Sequence, residues 1–172
     1  DADPQGSALA WATSRQAAAL FPVIGLPTKA LQKKTATHAS HYQDIVIDGP
    51  PRIAEVTRAI LALSDLALIP IGASPAEVWA TADLVAQVQE VQKVHPVPVR
   101  VLWTRFRAYT RLAHELSSEA DKALGLPAMR SVLGYRVAYQ EALGTGRTAA
   151  EVHDPSARDE VVALAVEVKR ML

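Results

Sequence analysis

Asp48 is the side chain best placed for chemistry. It ends the apolar run of Gln43-Asp44-Ile45-Val46-Ile47-Asp48-Gly49-Pro50-Pro51, where β-branched residues give way to a carboxylate and then to backbone that cannot continue a strand. The Ile-Val-Ile run predicts a buried strand covered on both faces, as in a parallel sheet with helices above and below. Asp48 then falls at the carboxyl end of that strand, the edge at which open α/β sheets bind ligands. A carboxylate there suits a hydrated Mg²⁺ beside phosphates; the plainer alternative is an Asp that caps the next turn.

Two further sets carry charge in a pattern. Asp1 and Asp3 flank Ala2 ahead of Pro4, which in isolation is a turn-forming Asp-x-Asp-Pro. Arg100, Arg105, Arg107 and Arg111 form a run with no intervening acid and with Phe106 and Tyr109 interleaved; Arg130 and Arg136 follow. Such a run reads either as a phosphate-binding loop or as an ordinary solvated one. His38 and His41, three apart, could share a helix face, but without a convincing third ligand they read as surface histidines.

The elements that position these residues alternate. Helical composition runs from Ser7 to Leu20 and stops at Pro22. Val23 to Leu26 is a short strand or extended piece, and a polar helix follows from Pro27 to Thr37. After the Asp48 strand, Ile53, Val56, Ile60, Leu61 and Leu63 recur at helical spacing. Leu66 to Ile71 is the next buried strand. Ser74-Pro75-Ala76-Glu77 supplies an N-cap, a first-turn Pro and a Glu able to complete a capping box, predicting a helix with Val78, Thr81, Val85 and Val88 inward, to about Lys93. Val99 to Trp103 is another strand, and its exit is the arginine run. A helix over 112–124 closes at Gly125, Met129 to Leu133 forms the last strand, and Val137 to Leu143 a short helix. Pro155 to Leu172 forms the final helix, with Val161, Leu164, Ala165, Val168 and Leu172 facing the core. Trp11, Trp79 and Trp103 read as core or edge packing. The alternation predicts one domain over 1–172, an α/β doubly wound, mainly parallel sheet with helices on both faces.

Two of these segments together resemble a known family. Asp1-Ala2-Asp3-Pro4-Gln5-Gly6-Ser7 resembles the DxDPQGS switch I segment of the ParA/MinD family of P-loop ATPases, and Asp48-Gly49-Pro50-Pro51 resembles its Walker B strand end, usually D-T-P-P. The two stand in the family's order, roughly forty residues apart, which is far more specific than either alone. The resemblance continues through Val101–Leu112 and Tyr135–Val152, where Arg-Val-Ala-Tyr and Gly-Arg-Thr are similar to small plasmid-type ParA proteins, and so covers nearly the whole chain.

What the resemblance implies is a set of expectations. The fold would be P-loop NTPase-like, lacking the first strand and the phosphate loop, with ATP and Mg as cofactors. Asp3 would orient the attacking water, which needs an in-line nucleophile rather than a strong base. Asp48 and Asp1 would meet the Mg²⁺ through water. Pro51, Thr104 and Arg105 would lie at the nucleotide, Thr104 standing where the family often has an Asn that reads adenine; one hydroxyl cannot copy an amide's paired donor and acceptor. Arg105, Arg107, Arg111, Arg130 and Arg136 would contact DNA phosphates without sequence preference in an ATP-bound homodimer, discharged by a ParB-like centromere-binding partner in a partitioning role. The expected location is cytoplasmic and nucleoid-associated. No membrane contact is expected, because the last helix reads as packing, unlike the amphipathic membrane helix of MinD relatives.

One part of the family pattern is missing. No G-x-x-x-x-G-K-S/T loop occurs in these 172 residues. The expectation is a fragment, or the ordered part, of a longer protein, with a gene that has lost the loop as the alternative; the chain as written should neither bind ATP tightly nor hydrolyse it. A nucleotide-free binding or scaffold module of the same fold is the competing function class, and a member that positions protein cargo or the division site a variant of the first.

Composition narrows the field. Lys plus Arg and Asp plus Glu both total 18, so no global field draws in nucleic acid, and any DNA contact must be local. With Cys absent, disulfides, zinc thiolates and iron–sulfur clusters are excluded.

Overall fold

The computed structural model describes residues 1–26, 31–51, 54–111, 114–115, 118 and 124–172. Its fold is mixed α/β with a parallel sheet and, among the described residues, six helices: α1 (Ser7–Ser14), α2 (Leu31–Ala39), α3 (Ala54–Leu63), α4 (Pro75–Gln92), α5 (Val137–Thr145) and α6 (Pro155–Met171). Strands β1 (Ala67–Gly72) and β2 (Val99–Thr104) pair in parallel, from Ala67 opposite Val99 to Gly72 opposite Thr104.

This pair is the centre of the core because Ile69 and Ile71 alternate inward with Val99, Val101 and Trp103 on one buried face, whereas on the other face of β1 Leu68 is half-buried and Pro70 exposed. Ile69, Ile71, Val99, Val101 and Trp103 pack with Val78, Val85, Val88 and Val91 of α4, and with Leu61 of α3. Ser74 caps α4, its hydroxyl accepting from Glu77 N at 3.3 Å, and Pro75 occupies the first turn. The other half of the capping box does not form: Ser74 N bonds to Gly72 O, and the Glu77 carboxylate turns to Gly72 N instead.

Several segments differ from the sequence expectation. Ile45, Val46 and Ile47 run outside any regular strand, with Ile45 41% and Val46 91% exposed. The strand prediction fails there because, among the described residues, no ladder partner lies beside the run; its one backbone link is Ala2 N to Asp48 O at 2.8 Å. Residues 129–133 follow β2 but make a broken edge. Met129 N bonds to Val101 O and Leu133 N to Trp103 O, whereas Arg130 N and Ser131 N both donate to the Glu167 carboxylate at 2.8 Å. Those two amides, diverted to α6, interrupt the ladder.

Helix α1 stops at Ser14, short of Leu20, because Arg15 turns to extended backbone and its guanidinium reaches Gly146 O and Glu151. Of the face expected to pack on α6, Leu164 and Val168 are half-buried, but Val161, Ala165 and Leu172 are exposed. Trp103 is buried and Trp11 stacks on Phe21 at 5.7 Å, whereas Trp79 is 75% exposed on the outer side of α4. The expected starts of two helices, at 27–30 and 52–53, and most of the helix at 112–124, lie outside the described residues. Gly125 has the left-handed backbone expected of a C-cap, with φ 63°.

Two smaller apolar clusters flank the centre. Ala2, Leu26 and Leu31 pack with Val56, Ala59 and Ile60 of α3; Ala138, Ala142, Ala149, Val152 and Ala157 join α5 to α6. Among the described residues, no helix is long and apolar enough to cross a membrane.

Candidate functional site

The Asp1–Asp3 segment and Asp48 come together through the Ala2–Asp48 backbone bond. Residue 1 is fixed on its other side, Asp1 N donating to Ile24 O at 2.8 Å and Leu26 N to Asp1 O at 2.7 Å. Its carboxylate is occupied locally: one oxygen accepts from Asp3 N at 3.1 Å and the other from Leu9 N at 2.9 Å. Asp3 likewise accepts from Gln5 N at 2.8 Å through Oδ1. These are the Asx-type turns the sequence offered as the plainer reading, and they hold both carboxylates at fixed positions.

Asp48 is different. It is exposed, and its carboxylate forms none of the hydrogen bonds or ion pairs made among the described residues. It borders a hollow of about 360 Å³ lined also by Ser7, Trp11, Tyr139 and Arg147. The last two belong to the Arg-Val-Ala-Tyr and Gly-Arg-Thr stretches of the resemblance, which assigned them no site role; tertiary contact sets their place beside Asp48. Gly49 follows where a Cβ would lie 2.7 Å from Ile60 Cδ1, so the Thr common in the D-T-P-P pattern would require the tip of the Ile60 side chain to move. Pro51 is exposed in the turn that follows.

The donor set bears on a metal. Among the described residues no three His, Asp, Glu or Cys side chains converge into a cage. One unengaged carboxylate fits Mg²⁺, which commonly keeps several waters and is held by one or two carboxylates plus substrate phosphates. Asp48 has both oxygens available for the waters of such an ion, whereas the oxygens of Asp1 already serve two amides.

Arg147 reaches the hollow because a clamp fixes its loop to α1. Trp11 Nε1 donates to Arg147 O at 2.8 Å, and Arg15 forms a fork on Glu151 at 2.9 and 2.7 Å. Gly146, with φ 65°, lets the loop pass: a Cβ there would lie 2.3 Å from Arg15 N. The Arg15 bonds, joined by Thr148, hold the Glu151 carboxyl down to about 2. A second polar knot joins α5 to α6. Glu160 accepts from Gly134 N at 2.9 Å, from Arg136 at 2.6 Å and from Tyr139 OH at 2.7 Å. Burial pushes Glu160 upward, but those donors outweigh it and hold the group below the ordinary carboxylate range. Burial, then the bond to Glu160, pushes the Tyr139 phenol up.

Thr104 and Arg105 stand at the carboxyl end of β2, beside Gly72 at the end of β1. Arg105 pairs with Glu77 at 2.5 Å, and Arg107 lies over the Tyr135 ring at 4.8 Å. Arg111 is 94% exposed, 3.6 Å from Glu115. Arg130 lies beside Glu167, and Arg136 is engaged by Glu160 and, at 3.9 Å, by Asp154. The five arginines therefore do not present one uniform basic face: Arg107 and Arg111 point outward, and Arg136 is drawn into the fold. His41 Nδ1 lies 2.9 Å from Ser40 Oγ and 3.2 Å from Thr37 O, a local surface arrangement.

No family model matches the chain. It is similar to the Maintenance of carboxysome distribution protein A of Halothiobacillus neapolitanus, with 25% identity over 175 residues that cover 98% of this chain and 80% of that protein. This similarity over nearly the whole chain supports the ParA-like resemblance carried by Asp1–Ser7 and Asp48–Pro51.

Proposed function

We propose that this chain works as part of a ParA-like positioning ATPase. The observation that carries the reading is the Ala2–Asp48 bond, which joins the two motif segments into one acidic edge with Asp48 unengaged. Mg²⁺ bound there would neutralise charge on a nucleotide's phosphates. Asp48 would hold its hydration shell, and Asp1 fixes the turn that carries Asp3. Asp3, with Oδ1 on Gln5 N, keeps its second carboxylate oxygen to orient water. The phosphate-cradling amides and Lys of a G-x-x-x-x-G-K-S/T loop are not among these 172 residues, so the full reaction belongs to a polypeptide that contains one.

The wider reading follows the resemblance. The ATP-bound form is a homodimer that binds DNA non-specifically through Arg105, Arg107 and Arg111, with Arg130 and Arg136 as further contacts, and a ParB-like partner stimulates turnover at the nucleoid. The name of the similar protein adds carboxysome distribution to plasmid and chromosome partition as candidate cargoes.

The test uses the complete gene product, measuring nucleotide binding and phosphate release. Asp3→Ala should keep ATP binding and lower turnover on the order of 10²-fold or more, as expected for loss of a group that positions the reacting water. Asp48→Ala should weaken Mg²⁺-dependent binding. Normal turnover in the Asp3 variant removes that residue from the mechanism. Failure of the wild-type gene product to bind nucleotide would favour the scaffold reading, which the engagement of both Asp1 oxygens by backbone amides already suits.

A further inference from the structure

At the carboxyl end of the paired strands, three observations converge on one guanidinium. Arg105, directly after β2, has φ 50°, and it is the one non-glycine residue with positive φ among the described residues. Such backbone carries a steric cost for an L side chain and persists where its surroundings over-determine it. They do so here from two directions. Phe106 N donates to Leu133 O at 3.0 Å and fixes the chain behind Arg105, while Arg105 Nη2 donates to Glu77 Oε1 at 2.5 Å.

Glu77 acts with both oxygens, its Oε2 accepting from Gly72 N at 2.7 Å. Gly72 completes the fit. A Cβ at that position would lie 2.6 Å from each Glu77 carboxylate oxygen and 2.8 Å from Arg105 Nη2, so the ion pair occupies the space a side chain would fill. The pair is nevertheless open to solvent, with the Arg105 and Glu77 side chains 60% and 38% exposed. Exposed ion pairs are weak, and a competing anion displaces one partner readily.

We propose that Glu77 is a positioning residue that holds Arg105 in reserve, releasing the guanidinium to a phosphate group that docks at this edge. The proposal rests on the reading that this edge meets phosphates. A guanidinium fork matches carboxylate and phosphate with the same geometry, so the exchange keeps its hydrogen bonds. The place agrees with the chemistry, since ligands of open α/β sheets bind outside the carboxyl ends of the strands. Two sources supply such a group: the backbone of DNA and the phosphates of a nucleotide.

The experiment measures, on the complete gene product, affinity for a random-sequence DNA duplex across salt concentrations and affinity for Mg·ATP. Glu77→Gln keeps an oxygen for Gly72 N while removing the charge that holds Arg105. Gly72→Ala reaches the same end by another route, pushing the two side-chain termini apart. Both variants should bind one probe several-fold more tightly, and Arg105→Ala placed on Glu77→Gln should cancel the gain. If DNA is the source, the log–log salt dependence steepens by about one unit in the released variants. If the nucleotide is the source, Mg·ATP affinity rises and the DNA slope stays. A gain that survives in the Glu77→Gln/Arg105→Ala double variant reflects lost negative charge alone and overturns the proposal. Unchanged affinity for both probes in both single variants, beside a wild type that binds, overturns it too and leaves the ATPase reading standing. A wild type and released variants that bind neither probe remove that reading and the reserve role together.

Discussion

Ile69, Ile71, Val99 and Val101 of the paired strands are at most 7% exposed, whereas Ile45 and Val46, of the same residue types, are 41% and 91% exposed. Both stretches are rich in β-branched residues, so composition does not separate them. A ladder partner and a covering helix do: β1 and β2 have each other and α4, while the Asp48 segment has one backbone bond to Ala2. The molecule is accordingly held in two manners. Its centre is held by one large apolar cluster, and the regions around it by two small ones reinforced with charge and hydrogen bonds. Lys169 reaches Asp44, Arg15 grips Glu151, Glu160 gathers Arg136 and Tyr139, and Glu167 takes two backbone amides.

Substitution in the centre should have the largest effect. Ile71→Ala removes a side chain that is 2% exposed, and a cost of about 2–5 kcal/mol is expected for such a cavity. Val46→Ala, by contrast, should fall within about 0.5 kcal/mol of wild type by chemical denaturation, as exposed positions do. Equal losses at the two positions would erase the distinction between centre and surroundings.

An intermediate effect belongs to the α5–α6 knot. Tyr139→Phe deletes the hydroxyl that donates to Glu160 at 2.7 Å and should cost about 1 kcal/mol, since Glu160 keeps its other donors. A loss as large as that of Ile71→Ala would mean that the polar knot, too, works as a packed core.

The smallest effect should appear in acid. The Glu151 carboxyl, held down to about 2 from an ordinary value of 4.5, contributes stability that is fully present above the ordinary value and is lost as pH falls through the lowered one. Glu151→Gln should therefore lack that part of the acid sensitivity, and its difference from wild type should shrink between about pH 4.5 and 2. A difference that stays constant across that window would assign the clamp to packing rather than charge.

What could be read from the sequence was local. Ser74 and Pro75 announce the start of α4 because cap and first turn lie within a few residues, and the bounds of β1 and β2 follow from apolar runs between turn signals. The meeting of Asp1–Asp3 with Asp48 was legible through the resemblance, since two spaced motifs define one edge. The rest depended on distant partners. Glu77 has the right position to complete a capping box, yet Arg105, 28 residues away, claims one oxygen. The 129–133 strand is interrupted by a carboxylate 36 and 37 residues further on, and α1 ends where Arg15 meets a loop that no helix propensity could reveal. Arg147 and Tyr139 enter the Asp48 hollow for the same reason.

The clamp on α1 also bears on the order in which the chain assembles. Trp11 and Arg15 bond to residues 136 positions away, while β1, α4 and β2 occupy one continuous stretch of 67–104. Closing so long a loop in an open chain carries an entropic cost with little immediate return, whereas contacts within the shorter stretch reward each step. The strand–helix–strand unit is therefore expected to form ahead of the clamp, and pulsed hydrogen exchange on the amides of 67–104 and of α1 would check the order. Asp1 and Asp3, held by bonds to residues no farther along the chain than Asp48, keep their anchorage when the clamp alone is open.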